Sequence, residues 1–224
     1  MTPKNNQTYF PLSHTVTANL KNEFSKLLGN YSTDPARNDE LADLVVLRYS
    51  EKHRFYHNLS HIHSLLNNAE NFSDKFVDYD SVRLAIWFHD VVYEPKSLKN
   101  EFESALLMRE KLTELSFPKE MTKKVEKLIL ATEKHDAASL DDDGKLFLDL
   151  DLGILGAEEG VYEKYTRAIR CEYSFVPEFL YRRSRAKILK NFLNRQIIYF
   201  TDEMCKKYET AARRNIANEI KELS

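Results

Sequence analysis

The sequence predicts an all-α protein, and three observations carry this prediction. Gly and Pro, which interrupt helices, number only five and six among the 224 residues. Charged residues make up 30% of the chain and fall in long stretches with Leu and Ala, a composition that favours helix. No segment keeps the alternation of apolar and polar side chains that a half-buried strand requires. Because no repeat or linker divides residues 1–224, we expect a single domain.

The first half of the chain is predicted to begin with a loose polar arm over 1–13, which lacks the apolar core of a signal peptide. Apolar residues at helical spacing then predict a helix over 14–28, closed near Gly29. A polar connection that contains Pro35 follows. The next helices are predicted over 39–52, from 61 to about 71, and from about 80 onward.

The second half is predicted to be helical almost throughout. The short run 91–93 leans toward strand, but we expect it to continue the preceding helix. Residues 116–118 end a long helix, and Pro118 suits the first turn of the next one. The sequence DDDG at 141–144 predicts a turn before a buried apolar run over 146–155. The remaining helices are predicted over 96–115, 119–134, 162–173, 177–194 and 202–223.

Charge and composition exclude several classes of function. A net charge of -2 and a pI of about 6.4 give no electrostatic basis for binding a nucleic acid polymer or an anionic membrane. No apolar run is long enough to span a bilayer. The two cysteines, Cys171 and Cys205, lie far apart and form neither a disulfide framework nor a zinc pattern. We therefore expect a cytoplasmic protein in a reducing environment.

The segment 85–93, with the sequence AIWFHDVVY, places His89 and Asp90 side by side in an apolar run. A run that is apolar on every face is typical of a buried core segment. Burying an imidazole beside a carboxylate is unfavourable unless each is hydrogen-bonded or bound to a metal. The pair is therefore either a metal ligand set or a neutral histidine and a carboxylate held by their neighbours.

Other histidines and aspartates in the sequence favour the interpretation of His89 and Asp90 as metal ligands. His57 and His61 are four apart and would share a face of a helix, and Asp149 and Asp151 lie in a second buried run. Imidazole and carboxylate together are the ligands of a divalent transition metal: Mn, Fe, Co, Ni or Zn. A mixed set completed by water is the catalytic kind of site. His53 and His63 are expected at the surface, and either aspartate could instead cap a helix or bond to backbone.

The order His, then His-Asp, then Asp on successive helices resembles the HD superfamily of metal-dependent phosphohydrolases. The sequence YHNLSH at 56–61 is similar to the Tyr-His-Asn-x-x-His segment of cyclic-nucleotide phosphodiesterases, a branch of that superfamily. Nearly the whole chain resembles a group of predicted HD-superfamily metal-dependent hydrolases. The stretches that match are 54–62, 85–90, 148–156 and 169–173.

The resemblance implies an HD-type, phosphodiesterase-like helical bundle and a ligand set of His61, His89, Asp90 and Asp151. Asp149 would then orient a ligand or bond to backbone, although the two aspartates could exchange roles. Binuclear members of the superfamily carry further histidines between the His-Asp pair and the last aspartate. This chain offers only His135 there, so one ion is expected rather than two.

The same resemblance makes His57 the general acid that protonates the leaving oxygen. Asp90 could also steer the attacking water. Glu94, one turn further on if the helix continues, is either a general base or a solvated helix end. Arg54 could clamp a phosphate, and His135 could contact a phosphate or a metal ligand. Five downstream arginines are expected to form mostly surface ion pairs, with one or two reaching the pocket: Arg167, Arg170, Arg182, Arg183 and Arg185.

The function expected from these residues is hydrolysis of a phosphomonoester or phosphodiester by a metal-activated water. The substrate would be a nucleotide or another small phosphorylated metabolite. One alternative is a non-catalytic nucleotide sensor or interaction module with a structural metal. A di-iron oxygenase on the same scaffold is disfavoured by the shortage of histidines between Asp90 and Asp149. A homodimer paired through helices is compatible with the sequence.

Overall fold

A computed structural model describes residues 9–224 of the protein. This part of the chain contains ten α-helices and two short 3₁₀ helices, and no strand occurs within it. The predicted all-α class is confirmed. The arm predicted over 1–13 lies largely outside the described residues. Within residues 9–224, no helix combines the length and the apolar character needed to cross a membrane.

The described residues form two compact units. The first unit comprises 10–148, and the second comprises Tyr9 with 149–224. The division falls inside one continuous helix, Asp142–Asp151. A compact unit is not necessarily a separate domain, so the single domain expected from the sequence stays a prediction.

The first unit is organised around the helix that leads to His89. Its helices are α1 (His14–Gly29), α2 (Pro35–Tyr49), α3 (Leu59–Glu70), α4 (Tyr79–Phe88), α5 (Asn100–Glu114), α6 (Lys119–Ala131) and the larger part of α7 (Asp142–Asp151), with a 3₁₀ turn at Ser73–Lys75. Trp87 of α4 stacks on Phe24 of α1 with ring centroids 4.5 Å apart. The Tyr49 hydroxyl donates to the Trp87 carbonyl at 3.0 Å. Buried contacts therefore hold the end of α4 immediately before His89.

The second unit holds the end of α7 and the C-terminal helices. These are a 3₁₀ helix (Leu152–Gly156), α8 (Glu159–Glu172), α9 (Glu178–Leu193) and α10 (Asp202–Leu223). A Cβ atom at Gly156 would come within 2.5 Å of the Tyr208 side chain, so only glycine permits this approach to α10. The Asn215 side chain donates to the carbonyls of Leu155 and Ala157 at 3.0 and 2.8 Å. These contacts fix the chain just after α7.

α2 and α7 each begin four residues earlier than the sequence pattern predicts. α2 starts at Pro35 rather than near residue 39, because Pro35 occupies the first turn and the Asp34 side chain accepts a hydrogen bond from the Arg37 N–H at 3.1 Å. α7 starts at Asp142, inside the predicted turn. Acidic side chains suit the positive end of a helix dipole, so the acidic run begins the helix rather than preceding it.

α4 ends at Phe88, and the expectation that it continues through 91–93 is wrong. The reason is that the Arg54 side chain takes the backbone carbonyls that a continued helix would use. The Arg54 guanidinium donates to the carbonyl oxygen of Asp90 at 2.6 Å and to that of Val91 at 3.0 Å. The chain therefore leaves the helix at the His-Asp pair and follows an irregular path.

Candidate metal centre

His61 lies in the first turn of α3, and the cap of that helix sets its place. The Asn58 side chain accepts a hydrogen bond from the Ser60 N–H at 2.9 Å and donates to the Phe55 carbonyl at 3.1 Å. Asn58 therefore starts the helix and ties it to the preceding loop. His61 follows three residues later and is buried, with 7% of its surface exposed.

His89 directly follows the last residue of α4, and its N–H still bonds to the Ala85 carbonyl at 2.9 Å. Its ring atom Nδ1 lies 2.9 Å from the Ile86 carbonyl oxygen. Because a carbonyl can only accept, Nδ1 must carry a proton, and the lone pair of the neutral ring is then on Nε2. A backbone carbonyl behind the ring in this way is the usual partner of a metal-binding histidine.

Three potential ligand atoms converge at this point of the first unit. His89 Nε2 lies 3.3 Å from His61 Nε2 and 3.0 Å from Asp90 Oδ2. His61 Nε2 lies 3.9 Å from the same carboxylate oxygen. The lone pairs of His89 Nε2 and Asp90 Oδ2 face each other, which is unfavourable unless a proton or a metal ion lies between them.

The charges around Asp90 favour the ionised carboxylate that a metal ligand requires. Burial alone would raise the pKa of Asp90, but the charges of His89, His57 and His61 hold it well below its usual range. The carboxylate is therefore ionised at neutral pH. One carboxylate with two imidazoles is a donor set that fits a divalent transition metal, so the residues present suit the ion that the sequence predicts.

Asp151 is the last residue of α7. It lies one turn beyond Phe147 on the same face of this continuous helix. The Phe147 ring contacts the His89 ring edge to face, with centroids 6.1 Å apart. His61, His89 and Asp151 form a group that could hold a metal ion.

Asp149, two residues before Asp151, is fully buried and has other partners. Its Oδ1 accepts from the Phe200 N–H at 2.7 Å, and its Oδ2 accepts from the N–H and the hydroxyl of Thr201, each at 2.7 Å. Burial raises the pKa of this carboxyl to about 6, against the effect of these three hydrogen bonds. The carboxyl group thus holds the chain at the start of α10, which favours Asp151 as the closing ligand.

His57 precedes α3 rather than lying on it, because the helix starts at Leu59. The shared helical face predicted for His57 and His61 is therefore wrong. The His57 ring nevertheless lies near the centre, 4.3 Å from the Tyr93 ring and 6.1 Å from the His61 ring between centroids. Its charge is also among those that lower the pKa of Asp90.

Arg54 is buried, and its guanidinium is almost fully engaged. It donates to Glu51 Oε2 at 3.0 Å and to the carbonyls of His57, Asp90 and Val91 at 3.0, 2.6 and 3.0 Å. Of the five N–H groups of a guanidinium, these bonds use four. The geometry favours a structural role for Arg54, and its contact with a phosphate stays a prediction.

Glu94 lies on an exposed turn after α4 has ended, so its predicted place one helical turn beyond Asp90 is wrong. Its carboxylate accepts from the Lys96 N–H at 3.2 Å, and its backbone bonds to the Asn100 side chain at 3.0 and 3.1 Å. His135 follows the end of α6 with a positive φ of 46°. It is half-buried, and its role at the site stays a prediction.

From the sequence, Glu101 could border the mouth of the site, but a first-turn acidic residue favoured by the helix dipole is the preferred interpretation. Glu101 lies half-buried in the first turn of α5, where an acidic residue is explained by the helix dipole alone. Burial raises the pKa of the Glu101 carboxyl, the Asp90 charge raises it further, and His135 lowers it. The carboxyl therefore lies within electrostatic reach of both residues. No periodicity in the sequence relates it to Asp90.

The two histidines expected at the surface are half-buried. His53 Nε2 lies 2.8 Å from the Tyr93 carbonyl oxygen, and His63 Nε2 lies 3.0 Å from the Asn67 amide nitrogen. Both have local partners outside the group of converging ligand atoms.

Comparison of the chain with protein families, curated proteins and solved structures gives no match. The chemistry of the centre therefore stands on its residues and their geometry, and membership of the HD superfamily stays a prediction.

Proposed function

We propose that this protein is a metal-dependent phosphohydrolase of the HD type. Its substrate is a phosphomonoester or phosphodiester of a nucleotide or another small phosphorylated metabolite. The observation that carries the proposal is the convergence of His61 Nε2, His89 Nε2 and Asp90 Oδ2 at 3.0, 3.3 and 3.9 Å. A proton or a metal ion among these donor atoms would make their close approach favourable, and the order of the motifs along the chain supports the metal ion.

In this proposal His61, His89, Asp90 and Asp151 hold one ion of Mn, Fe, Co, Ni or Zn. When bound, such an ion lowers the pKa of a water molecule and neutralises charge that develops on a phosphoryl oxygen. The Nδ1–H bond from His89 to the Ile86 carbonyl orients the imidazole. Asp90 is ionised by its surroundings and so loses no proton when it becomes a ligand.

Two further side chains suit proton transfer. The half-buried His57 ring lies beside the centre and, when protonated, would donate a proton to the leaving oxygen. Burial and the charge of Asp90 raise the pKa of Glu101. A carboxylate with a raised pKa suits the group that accepts a proton from the attacking water. Its half-buried position supports Glu101 over the exposed Glu94 in this role.

Elemental analysis of the protein purified without chelator tests the metal. We expect about one equivalent of a transition metal in the wild type and a large loss in His89→Ala, because a ligand and its buried lone pair are removed. His63→Ala is the matched control, since His63 lies on the same helix as His61 and contacts Asn67 instead. Several gentle preparations that contain no metal, and bind none when it is added back, would overturn the proposal.

Phosphate release tests the reaction. The metal-loaded protein is assayed on a panel of nucleotides and small phosphate esters. Release is expected to fall in Glu101→Gln and to stay near wild type in Glu94→Gln, with metal content unchanged in both. If the wild type retains its metal but releases no phosphate from any compound, the hydrolase assignment fails and a binding module with a structural metal remains.

A further inference from the structure

Tyr93 is a buried residue of the first unit that no step described above uses, and it lies directly against the proposed general acid. The Tyr93 ring contacts the His57 ring with centroids 4.3 Å apart and an angle of 31° between the ring planes. Tyr93 is buried, whereas His57 is half-buried. Rings this close pack against each other's faces, so the tyrosine restricts rotation of the imidazole.

Two side chains of the loop before α3 hold Tyr93 itself. His53 Nε2 lies 2.8 Å from the Tyr93 carbonyl oxygen, and the His53 ring stacks on the tyrosine ring with centroids 6.3 Å apart. The guanidinium carbon of Arg54 lies 5.4 Å from the centroid of the tyrosine ring, within the range of a cation–π contact. Arg54 also binds the carbonyls of Asp90 and Val91. Tyr93 is therefore a fixed surface rather than a mobile neighbour.

His57 depends on such packing because it lies in the loop before α3, where no helix orients its side chain. Two further rings meet the imidazole at steep angles. The Tyr56 ring is 5.1 Å away with the planes 84° apart, and the His61 ring is 6.1 Å away with the planes 77° apart. Of these three neighbouring rings, Tyr93 is the one that packs against the imidazole face and so fixes its plane.

We propose that Tyr93 positions His57 for proton donation to the leaving oxygen by packing against the face of the imidazole. The inference rests on the proposed function, because it takes His57 as the general acid. A general acid must lie within hydrogen-bond reach of the oxygen that it protonates, and a small misplacement costs much of the rate. Tyr93 is a positioning residue, since it acts through His57.

A double-mutant cycle on Tyr93 and His57 tests the inference. Tyr93→Leu, His57→Gln and the double variant are loaded with metal, and kcat is measured on the phosphate ester that the wild type hydrolyses fastest. We expect kcat to fall roughly 10- to 100-fold in Tyr93→Leu, because a misplaced general acid loses most of its effect. Added to His57→Gln, the same substitution should cause little further loss. Tyr93→Phe keeps the ring and should retain the wild-type kcat.

The leaving group provides a second readout. A p-nitrophenyl ester releases a stable anion that needs little protonation, whereas the phenyl ester releases a more basic oxygen that needs a general acid. The loss in Tyr93→Leu should therefore be larger on phenyl phosphate than on p-nitrophenyl phosphate. A purely structural role of Tyr93 would reduce both rates by the same factor.

Tyr162→Leu is the matched control for the loss of a buried tyrosine ring. Tyr162 is also buried but belongs to the second unit, where its hydroxyl donates to Glu219. The same glutamate pairs with Arg185 at 2.8 Å. Arg185 was expected among the surface ion pairs, and its burial is a correction. Tyr162→Leu should leave the ratio of the rates on the two esters at the wild-type value.

Thermal unfolding shows that each variant is folded before rates are compared. If Tyr93→Leu is unfolded, Tyr93→Met takes its place, because the flexible methionine side chain fills irregular gaps. An equal loss in the wild-type and His57→Gln backgrounds, an equal loss on the two esters, or a Tyr93→Phe as slow as Tyr93→Leu overturns the role of Tyr93. Phosphate release by the wild type would then still support the proposed function. A wild type that holds its metal but releases phosphate from no ester overturns both.

Discussion

At the scale of single residues, Asp149 and Asp151 have opposite surroundings although only one residue separates them. Asp149 is fully buried and accepts three hydrogen bonds from Phe200 and Thr201. Asp151 is half-buried at the end of α7 and belongs to the group that could hold a metal. Substitution of each carboxylate by its amide should therefore have different consequences.

Asp149→Asn is expected to lower the free energy of unfolding by about 1–3 kcal/mol, because its NH₂ group would face backbone N–H donors. Its metal content should stay at the wild-type level. Asp151→Asn is expected to lose most of the metal, with a smaller effect on unfolding. Urea unfolding and elemental analysis of both variants provide the check. Loss of metal in Asp149→Asn alone would show that the two roles are reversed.

The histidines and aspartates of the centre could be predicted from the sequence because their chemistry is distinctive and their motifs occur in a recognisable order. Their neighbours could not. The charge of Asp90 acts on the Glu101 carboxyl, and nothing in the local sequence separates Glu101 from an ordinary acidic first-turn residue. The sequence identifies Arg54 as a cation near the histidine motif. Its carbonyl partners could not be predicted, because they depend on where α4 ends.

At the scale of elements, the segment from Asp90 to Tyr93 is held largely by side chains. Arg54 binds the carbonyls of Asp90 and Val91. The hydroxyl of Ser104 on α5 lies 3.0 Å from the N–H and 3.2 Å from the carbonyl oxygen of Val92. The shape of the segment, and so the orientation of Asp90, depends on these contacts.

Arg54→Lys is expected to lower the melting temperature by roughly 5–10 °C, because one ammonium group cannot replace a fork that reaches three carbonyls. Arg48→Lys is the control, since Arg48 contacts the same Glu51 but its side chain is 44% exposed. It should melt like the wild type. A melting temperature unchanged in Arg54→Lys, together with a raised KM for phosphate substrates, would instead support the phosphate clamp predicted from the sequence.

The helices themselves were largely predictable from periodicity, and α10 begins and ends where expected, at Asp202 and Leu223. Three of the ends that were missed share one physical cause. At α2, α4 and α7, a side chain or a helix dipole decides where the backbone begins or stops its own hydrogen bonds. Apolar spacing carries no information about those partners.

At the scale of the whole molecule, one buried carboxylate connects three helices of the first unit. Asp143, in the first turn of α7, accepts from the N–H groups of Val77 and Asp78 at 2.8 and 3.0 Å. Lys124 of α6 donates to the same carboxylate at 2.6 Å. Asp78 in turn caps α4. The ionised form of Asp143 should therefore stabilise the protein at neutral pH, and this contribution should be lost in acid.

Burial alone would raise the pKa of Asp143, but Lys124 and the two backbone N–H groups hold it below its ordinary value. A carboxyl whose pKa is lowered by folding stabilises the protein above its unfolded pKa, near pH 4, and loses that contribution as the pH falls through its folded pKa. Asp143→Asn is expected to be less stable than the wild type at pH 7 by about 1–3 kcal/mol, because its NH₂ group would face an N–H donor. The difference should shrink below about pH 4.

Urea unfolding followed by circular dichroism between pH 7 and 3 measures both free energies. Asp142→Asn is the matched control, because the Asp142 side chain is 89% exposed and pairs with Lys145 at the surface. Its stability should follow that of the wild type at every pH. A difference between Asp143→Asn and the wild type that stays constant down to pH 3 would contradict the argument. It would mean that the shape of the carboxylate, rather than its charge, connects the three helices.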